Sequence, residues 1–215
     1  GTTLVVDSTN NRVGIGTSSS DEKLTVNGDI KILSTNKLHF TNTSDQTSVH
    51  APSSNTLAFT TNSTERMRID ATGAVTMPLQ PAFEVKPASQ QANVAVGGNV
   101  TVVFGTEVFD QNADFASNTF TAPVAGKYQF NFNLYLTGID SAAAYYIAYI
   151  ITTNESVEVI FDPDFGQDAA YWSIVGSALC ELDAGDTAYL RFYQGAGSQQ
   201  TDINAGSRFS GYLVA

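Results

Sequence analysis

Acidic residues are concentrated in three loop-like stretches in the second half of the chain. The stretches are TGIDSAA (137–143), DPDFGQDAA (162–170) and GAGSQQTDINAG (195–206), and their aspartates are Asp140, Asp162, Asp164, Asp168 and Asp202. Carboxylate oxygens are preferred ligands of Ca²⁺, although DPDFGQD does not have the spacing of an EF-hand. Two interpretations stay open, a calcium site and a solvated acidic loop that opposes aggregation. The second is favoured, because clustered carboxylates alone are a weak signal.

Five aromatic residues of the same half are candidates for contact with a ligand: Tyr145, Tyr146, Tyr171, Trp172 and Tyr193. Two pairs of them are adjacent, so the alternation of side chains along a strand should place one member of each pair outside the core. Exposed rings beside amide side chains suit sugar recognition, but rings in a sheet also fill cores and subunit interfaces. The sequence does not decide between a sugar and another subunit.

Residues for nucleophilic catalysis or phosphate binding do not form a pattern. His39 and His50 both precede the aromatic half, so a Ser-His-Asp arrangement is excluded there, and no phosphate-binding glycine motif occurs. Cys180 is the single cysteine and lies in an apolar, strand-like stretch, which predicts a small buried side chain. Paired carboxylates of the glycosidase type are not excluded, but the acids lie in turns. We expect no enzymatic activity.

The charge balance excludes several classes of partner. The chain has 215 residues and a formal net charge of −11, which repels nucleic acids and anionic lipid surfaces. Its longest apolar run, AAAYYIAYII (142–151), is too short to span a membrane as a helix. The chain opens at Gly1 inside a strand-like pattern, and we expect it to be the C-terminal part of a longer protein.

Composition divides the chain into two predicted domains, 1–82 and 83–215. Phe40 and Phe59 are the only aromatic residues of the first part. The second part has four Lys or Arg residues against fourteen Asp or Glu residues. The segment TMPLQPAF, with two prolines, reads as the junction.

The first part is a loose repeat of short strands. Its segments are LVVDSTNNRVGI (4–15), LTVNGDIKI (24–32), LHF (38–40), LAF (57–59) and MRIDATGAVTM (67–77). Asn27-Gly28 predicts a two-residue hairpin turn. Each strand offers too few apolar side chains to offset the entropy of ordering, so a single copy should need neighbours to complete a core. A trimeric stalk of β-prism or β-helical type would supply them, and a disordered linker is the alternative.

The second part reads as an all-β sandwich, because short strands follow one another with turn signals between them. The predicted strands are FEVK, NVTVVF, TEVF, NTFTAP, KYQFNFNLYL, AAYYIAYIITT, SVEVIF, YWSIVGSALCEL, TAYLRFYQ and SRFSGYLVA. In KYQFNFNLYL, alternate positions from Tyr128 to Leu136 share one face, which should be core. The other face carries Gln129, Asn131, Asn133 and Tyr135, and an amide-rich face of this kind suits another subunit better than open water.

Three motifs of the second part resemble those of the C1q and tumour-necrosis-factor-like jelly rolls. The pattern F-x5-G-x-Y-x-F-x-F is met from Phe120 to Phe132. LDAGDTAYLRF (182–192) is similar to the L-x-x-G-D-x-V-x-L of that family, and SRFSGYLV (207–214) is similar to its closing strand. The family signature has an aromatic residue seven positions before Phe120, where this chain has Ala113 and offers Phe115 two positions later, which we interpret as a shortened loop before the motif. The resemblance implies a trimeric head.

The first part resembles repeats that are common in bacteriophage tail fibres, in NNRVGIGTSSSDEKLTVNGDI and STERMRIDATGAV. Together the two resemblances imply a homotrimeric fibre tip of the virion, outside the cell, that binds a glycan or an outer-membrane receptor on a bacterium. One alternative is the head of a bacterial surface or spore-coat adhesin of the same fold. A collagen-type stem would have glycine at every third residue, and this one does not. A polysaccharide depolymerase is the alternative that the sequence favours least.

The strand order of the family also implies where a receptor could bind. The closing strand (208–214) should lie antiparallel to KYQFNFNLYL. The connections at 137–143, 162–170 and 195–206 should then emerge together at the end of the head away from the stalk. Long polar loops on a rigid scaffold commonly carry recognition.

Overall fold

The structure, a computed structural model, describes residues 4–17, 22–32, 36–40 and 47–215. Every regular element in these ranges is a β-strand, and none of the ranges contains a helix long and apolar enough to cross a membrane. The chain divides into two compact units, Gly1–Pro78 and Leu79–Ala215, and the division falls inside TMPLQPAF. Residues 18–21, within the segment NNRVGIGTSSSDEKLTVNGDI, lie outside the described residues, as do 1–3, 33–35 and 41–46.

The described residues of the first unit form two small sheets. The three-stranded sheet consists of β1 (Leu4–Asp7), β2 (Arg12–Ile15) and β3 (Leu24–Val26). The five-stranded sheet consists of β4 (Lys37–His39), β5 (Thr47–His50), β6 (Leu57–Thr61), β7 (Thr64–Ile69) and β8 (Val75–Thr76). The strands of the second sheet pair antiparallel in sequence order, so its pairing is local.

Two hairpins of the first unit turn at an aspartate, as the repeat predicts. Between β1 and β2, the Asp7 Oδ1 atom accepts the N–H groups of Thr9 and Asn10 at 3.0 and 3.1 Å. Between β7 and β8, the Asp70 Oδ1 atom accepts the N–H group of Thr72 at 2.8 Å. Hydrogen bonds from the Asn10 and Thr72 side chains are the largest reason that the pKa of each carboxyl lies below its usual value.

The hairpin predicted at Asn27-Gly28 does not form, so that prediction is wrong. β3 pairs in parallel with β2, and the Asn27 N–H group donates to the Ile15 carbonyl at 2.8 Å, while residues 29–32 form no strand. A type I′ turn needs positive φ at both central residues, and here only Gly28 has it. The backbone hydrogen bonds of β3 and Asn27 are therefore formed with β2 and not with a returning strand.

The second unit is a sandwich of two sheets. One sheet has the order β11–β9–β20–β14–β17 with β19 on β14, and the other has the order β12–β13–β18–β15–β16 with β10 on β18. The strands are β9 (Ala82–Lys86), β10 (Val100–Thr101), β11 (Thr106–Gln111), β12 (Phe115–Ala116), β13 (Thr119–Thr121), β14 (Gly126–Ile139), β15 (Tyr145–Thr152), β16 (Ser156–Phe161), β17 (Ala169–Leu182), β18 (Thr187–Gly195), β19 (Asp202–Ile203) and β20 (Arg208–Leu213). All ten predicted strands are present, and the short strands β12 and β19 were not predicted.

β14 is an inner strand of the first of these sheets, with a partner strand on each side. It pairs antiparallel with β17 from Gly126 opposite Leu182 to Ile139 opposite Ala169. On its other side it pairs antiparallel with β20, which confirms the predicted place of the closing strand. Its inward side chains, Tyr128, Phe130, Phe132, Leu134 and Leu136, are all buried, as predicted.

Phenylalanine rings from both sheets fill the core at one end of the sandwich. Phe83 of β9 stacks on Phe115 and on Phe120, with ring centroids 5.0 Å apart in both pairs. Phe209 of β20 meets Phe83 edge-on at 5.1 Å. Phe115 is buried in this cluster.

Gly211 of β20 should not tolerate a side chain, because this cluster lies against its backbone. A Cβ atom there would stand 2.6 Å from Phe130 Cδ1 and 2.8 Å from Phe83 Cε1. We expect Gly211→Ala to lower the free energy of unfolding by about 1–3 kcal/mol, the usual effect of overpacking. Urea unfolding followed by tryptophan fluorescence measures this change.

The matched control is Gly98→Ala, since a Cβ atom at Gly98 would have no heavy atom within 4 Å. We expect its unfolding midpoint to stay close to that of the parent protein. Equal midpoints for the two variants would show that the ring packing around Gly211 is wrong.

Candidate functional site

The short and the long connections of the sandwich lie at opposite ends. At the end where β9 and β14 begin, TTNES (152–156) meets DAGD (183–186) through a 2.8 Å hydrogen bond from Asn154 Nδ2 to the Asp186 carboxylate. The three long connections meet at the other end, where β14 finishes at Ile139. Within this unit, the predicted grouping of the three long loops is therefore confirmed.

Asp140 ties two of the long loops together. Asp140 is 4% exposed. Its Oδ1 atom accepts the N–H group of Ala142 at 2.8 Å, and its Oδ2 atom accepts a short hydrogen bond from the N–H group of Ser198. The Asp140 N–H group donates to the Tyr146 hydroxyl at 2.9 Å. Since both carboxylate oxygens serve backbone groups, Asp140 holds the loops in position.

Asp168 and Asp202 also act as links between segments. Asp168 accepts the Ser141 hydroxyl at 2.9 Å and the Gln200 side-chain amide at 2.9 Å. The bond from Gln200 is the largest reason that the pKa of Asp168 lies below its usual value. Asp202 accepts the N–H group of Asn93 at 2.7 Å. All three long loops are therefore joined by carboxylate hydrogen bonds.

A single chain does not gather the five aspartates into a metal site. Asp162 and Asp164 are exposed, while the other three accept the hydrogen bonds just described. Over the described ranges, no three His, Cys, Asp or Glu side chains are grouped so that they could hold a metal ion. Calcium bound at a symmetric apex stays a prediction about an assembly of several chains.

Tyr146 is a core residue, so its place among the candidate receptor contacts is wrong. Its side chain has no exposed surface, and its hydroxyl lies 2.9 Å from the Thr201 hydroxyl. Its ring stacks on Phe161 at 5.0 Å. Burial is the largest reason that the pKa of Tyr146 is raised. The residue links the loop end to the core.

Tyr145 and Tyr193 lie together on the outer surface of the sheet that contains β15 and β18. Their rings stack with centroids 5.7 Å apart. Beside them, the Arg191 guanidinium carbon lies 4.3 Å from the centre of the Tyr149 ring. We use the term tyrosine face for the outward side chains of β15 and β18, which are Tyr145, Ile147, Tyr149, Ile151, Tyr189, Arg191 and Tyr193.

Tyr171 and Trp172 lie elsewhere. Tyr171 is 66% exposed, on the outer surface of the other sheet, where its ring centroid is 6.0 Å from that of Tyr135. Trp172 stacks on Phe161 at 5.3 Å and contacts Phe165 at 5.0 Å. The five aromatic candidates therefore occupy the core and three separate surface positions instead of one site.

The outer surface around Tyr171 has a row of exposed apolar side chains. Val175 is 63% exposed and Leu179 is 57% exposed, both on β17. They lie next to the amides of β14, because Val175 pairs with Asn133 and Leu179 pairs with Gln129. We use the term amide face for the outward side chains between Gln129 and Tyr135 on β14 and between Tyr171 and Leu179 on β17, which are Gln129, Asn131, Asn133, Tyr135, Tyr171, Ser173, Val175, Ser177 and Leu179. The charged pair Lys127 and Glu181 lies beyond its end, next to the short connections.

A surface hollow of about 540 Å³ lies at the end with the short connections. It is lined by Asn154, Leu182 and three acidic residues, Glu155, Glu181 and Asp183. Glu155 interacts with the thiol of Cys180, which is buried as predicted. Burial is the main reason that the pKa of this thiol is raised to about 12, which favours the protonated thiol over the nucleophilic thiolate.

Tyr149, Tyr189 and Arg191 are absent from the predicted contacts, because four of the five aromatic candidates were chosen as adjacent pairs. The alternation of side chains along β18 is the pattern in the sequence that indicates them. In TAYLRFYQ, Leu190 and Phe192 are buried, and the residues between them point outward. Reading the outward positions of neighbouring strands together would have found the tyrosine face.

Comparison with known proteins places residues 82–214 in the C1q domain, whose sequence profile they match. The globular domain of zebrafish complement 1qA protein has 23% sequence identity and a TM-score of 0.48, covering 63% of this chain and 98% of that one. Murine APRIL has 10% identity and a TM-score of 0.46, covering 63% of this chain and 99% of that one. None of the curated proteins matches the chain. The sandwich is an all-β jelly roll of the C1q and tumour-necrosis-factor type.

Removal of the Asp140 carboxylate should loosen the loop end. We expect Asp140→Ala to lower the free energy of unfolding by about 1–3 kcal/mol, because the N–H groups of Ala142 and Ser198 lose their acceptor. Asp164→Ala removes an exposed carboxylate from a neighbouring loop and should change this free energy by less than about 0.5 kcal/mol. Urea unfolding measures both, and equal effects would contradict the role assigned to Asp140.

Proposed function

Because this chain belongs to the C1q domain family, we propose that it is the tip of a homotrimeric phage tail fibre that attaches the virion to a bacterial surface glycan. Domains of the family form trimers, and they are typically binding domains without enzymatic activity. The resemblance of the first unit to tail-fibre repeats supports the assignment to a phage. The fibre tip lies outside the cell, at the end of the virion that meets the host.

The observation that carries this proposal is that the first unit has almost no core of its own. Ala58 is the only buried hydrophobic residue among the described residues of 4–78. Large apolar side chains of the same unit are exposed instead, among them Leu4, Val6 and Ile30 at more than 60%. Burial of such a side chain is worth about 1.5–3 kcal/mol, so a neighbour that covers them stabilises the unit. Further copies of the chain supply that cover in a stalk of β-prism or β-helical type.

The amide face of the second unit suits the same assembly. It combines exposed apolar residues of β17, including Val175 and Leu179, with the uncharged amides of β14. Interfaces between subunits are depleted of charged residues at their centre, and this surface has that composition. Tyr171 lies on this face beside Tyr135, so we assign its ring to a subunit contact.

Attachment then follows from the geometry of a trimer. Threefold symmetry presents each binding surface three times on one particle. Several weak sites can then bind at once, so the avidity of the trimer exceeds the affinity of one site. The three long loops are joined by hydrogen bonds of Asp140 and Asp168, so they form a rigid platform at one end of the sandwich. A rigid platform loses little entropy when it binds.

The assembly can be tested by light scattering on a sizing column. We expect the parent protein to have three times the mass of one chain. Val175→Glu should convert it to a smaller species, because three carboxylates would be brought into an apolar contact. Val103→Glu is the matched control, since Val103 is 48% exposed but lies outside the amide face.

A chelator added to the parent protein tests the predicted calcium, because loss of the trimer would reveal a structural ion.

A monomeric parent protein, or a trimer that Val175→Glu and Val103→Glu affect equally, would contradict the assigned subunit contact.

Attachment can be tested with the fluorescently labelled trimer on a panel of bacterial strains. We expect it to bind at least one strain, and purified lipopolysaccharide or capsule from that strain should compete. The binding of the Val175→Glu variant should be weaker by about 100-fold or more, because avidity is lost with the trimer. Failure of the trimer to bind any strain, or binding that neither glycan reduces, would overturn the proposed attachment to a glycan.

A further inference from the structure

The tyrosine face is a half-buried aromatic surface on the side of the sandwich opposite to the amide face, and Tyr145 is its exposed member. Its members share a side because Tyr145, Ile147, Tyr149 and Ile151 pair in register with the outward residues of β18. Ile147 is only 8% exposed although it lies on the outward side of β15. Tyrosine and arginine are the residues most enriched where binding energy is concentrated.

The ring of Tyr145 lies flat against the sheet. Gly195 is directly opposite it on β18, and the Tyr145 ring atoms lie only 3.0–3.2 Å from the point where a Cβ of Gly195 would stand. The absence of a side chain at Gly195 lets the ring settle onto the backbone, stacked beside Tyr193. The hydrogen bond with Tyr145 is the largest reason that the pKa of Tyr193 is raised. Tyr145 is 36% exposed, so its outer ring surface can be covered by a ligand.

Arg191 is a cation held in place without a carboxylate partner. It forms no ion pair with any described residue, and its buried Nε–H group has no hydrogen-bond acceptor there. Its position is fixed by the Tyr149 ring beneath the guanidinium. Glu158 lies across Tyr149 on β16, and this carboxylate forms no ion pair with Arg191. An arginine in this state matches an external carboxylate or phosphate, which it can bind in a bidentate manner.

The spacing of Arg191 and Tyr193 along β18 is comparable with the size of one sugar unit. Arg191 and Tyr193 are two residues apart on the same strand, which corresponds to about 7 Å. We propose that the tyrosine face binds a sugar ring that carries an anionic group, with the ring on Tyr145 and Tyr193 and the anion on Arg191. This inference rests on the proposed attachment function and names the chemistry of its glycan. A carboxylate of a uronic acid and a phosphate on a sugar share this chemistry.

The unfavourable net charge of the head makes Arg191 decisive. With four basic residues against fourteen acidic ones after residue 82, the head as a whole repels anions. An anionic sugar therefore gains affinity only where a cation is placed without a neutralising partner. Of the other head cations, Arg208 forms an ion pair with Glu84 at 3.3 Å, which leaves it less suited to an external anion.

The test uses methyl glycosides with one ring and different substituents at C6. The probes are glucose, glucuronate and glucose 6-phosphate, with the neutral and uronate forms of galactose and mannose as further pairs. Binding to the full-length protein is measured by saturation-transfer NMR and calorimetry. We expect at least one anionic form to bind about tenfold or more tightly than its neutral counterpart, since hydrogen bonds to charged groups are the stronger ones. The uronate and phosphate arms distinguish the two sources of the anion.

Three variants locate the site. Arg191→Gln should remove the preference for the anionic form, and Tyr145→Ala should weaken neutral and anionic forms alike. Glu158→Gln removes the carboxylate from the same region and should leave anionic binding equal or tighter, because a like charge is lost. The mass in solution and the thermal unfolding of each variant are measured alongside, so a folding defect is recognised.

The outcomes separate this inference from the proposed attachment. If no anionic form binds more tightly than its neutral partner, or if Arg191→Gln leaves the preference intact, the inference is overturned. If the parent protein attaches to bacteria and both Arg191→Gln and Tyr145→Ala attach equally well, the inference fails while attachment stands. Sugar binding that follows Arg191 without attachment to any strain would support the inference and contradict the proposed function.

Discussion

The antiparallel pairing of β14 with strands on both sides is the interaction on which the second unit depends. β14 runs for fourteen residues, and its inward side chains from Tyr128 to Leu136 are all buried. A shift of one residue would turn those rings toward water and bring Gln129 and Asn131 into the core, so the register is strongly specified. The same register places the Phe132 ring against the backbone of Gly176, where a Cβ atom would stand 2.5 Å from the ring, so a residue without a side chain is required there.

That register also decides which surfaces are available for contact. Because β14 ends at Ile139, opposite the beginning of β17 at Ala169, the long loops are brought to one end of the sandwich. Carboxylates such as Asp140 then join these loops, so residues that suggested an ion site act mainly as links between backbone segments. On the other sheet, the burial of Leu190 and Phe192 leaves Arg191 pointing outward between tyrosines.

The two units differ in how many apolar side chains they bury. The second unit buries rings from both sheets, with Phe83 in contact with Phe115, Phe120 and Phe209. In the described part of the first unit, Ala58 is the only buried hydrophobic residue. Local hydrogen bonds at Asp7 and Asp70 shape its hairpins, but hairpins without a core are only marginally stable in water. The proposed association of several chains would supply the apolar contacts that the described part of this unit lacks.

The sequence by itself determined the all-β class, the order of the long strands and the inward face of β14. Each of these follows from alternation along a short stretch of chain, as from Tyr128 to Leu136, and alternation depends only on neighbours in sequence. The parallel pairing of β3 with β2, the burial of Tyr146 and the placing of Arg191 over Tyr149 were decided by the tertiary structure. These depend on which strands become neighbours and in what register, and residues distant in sequence make that choice together.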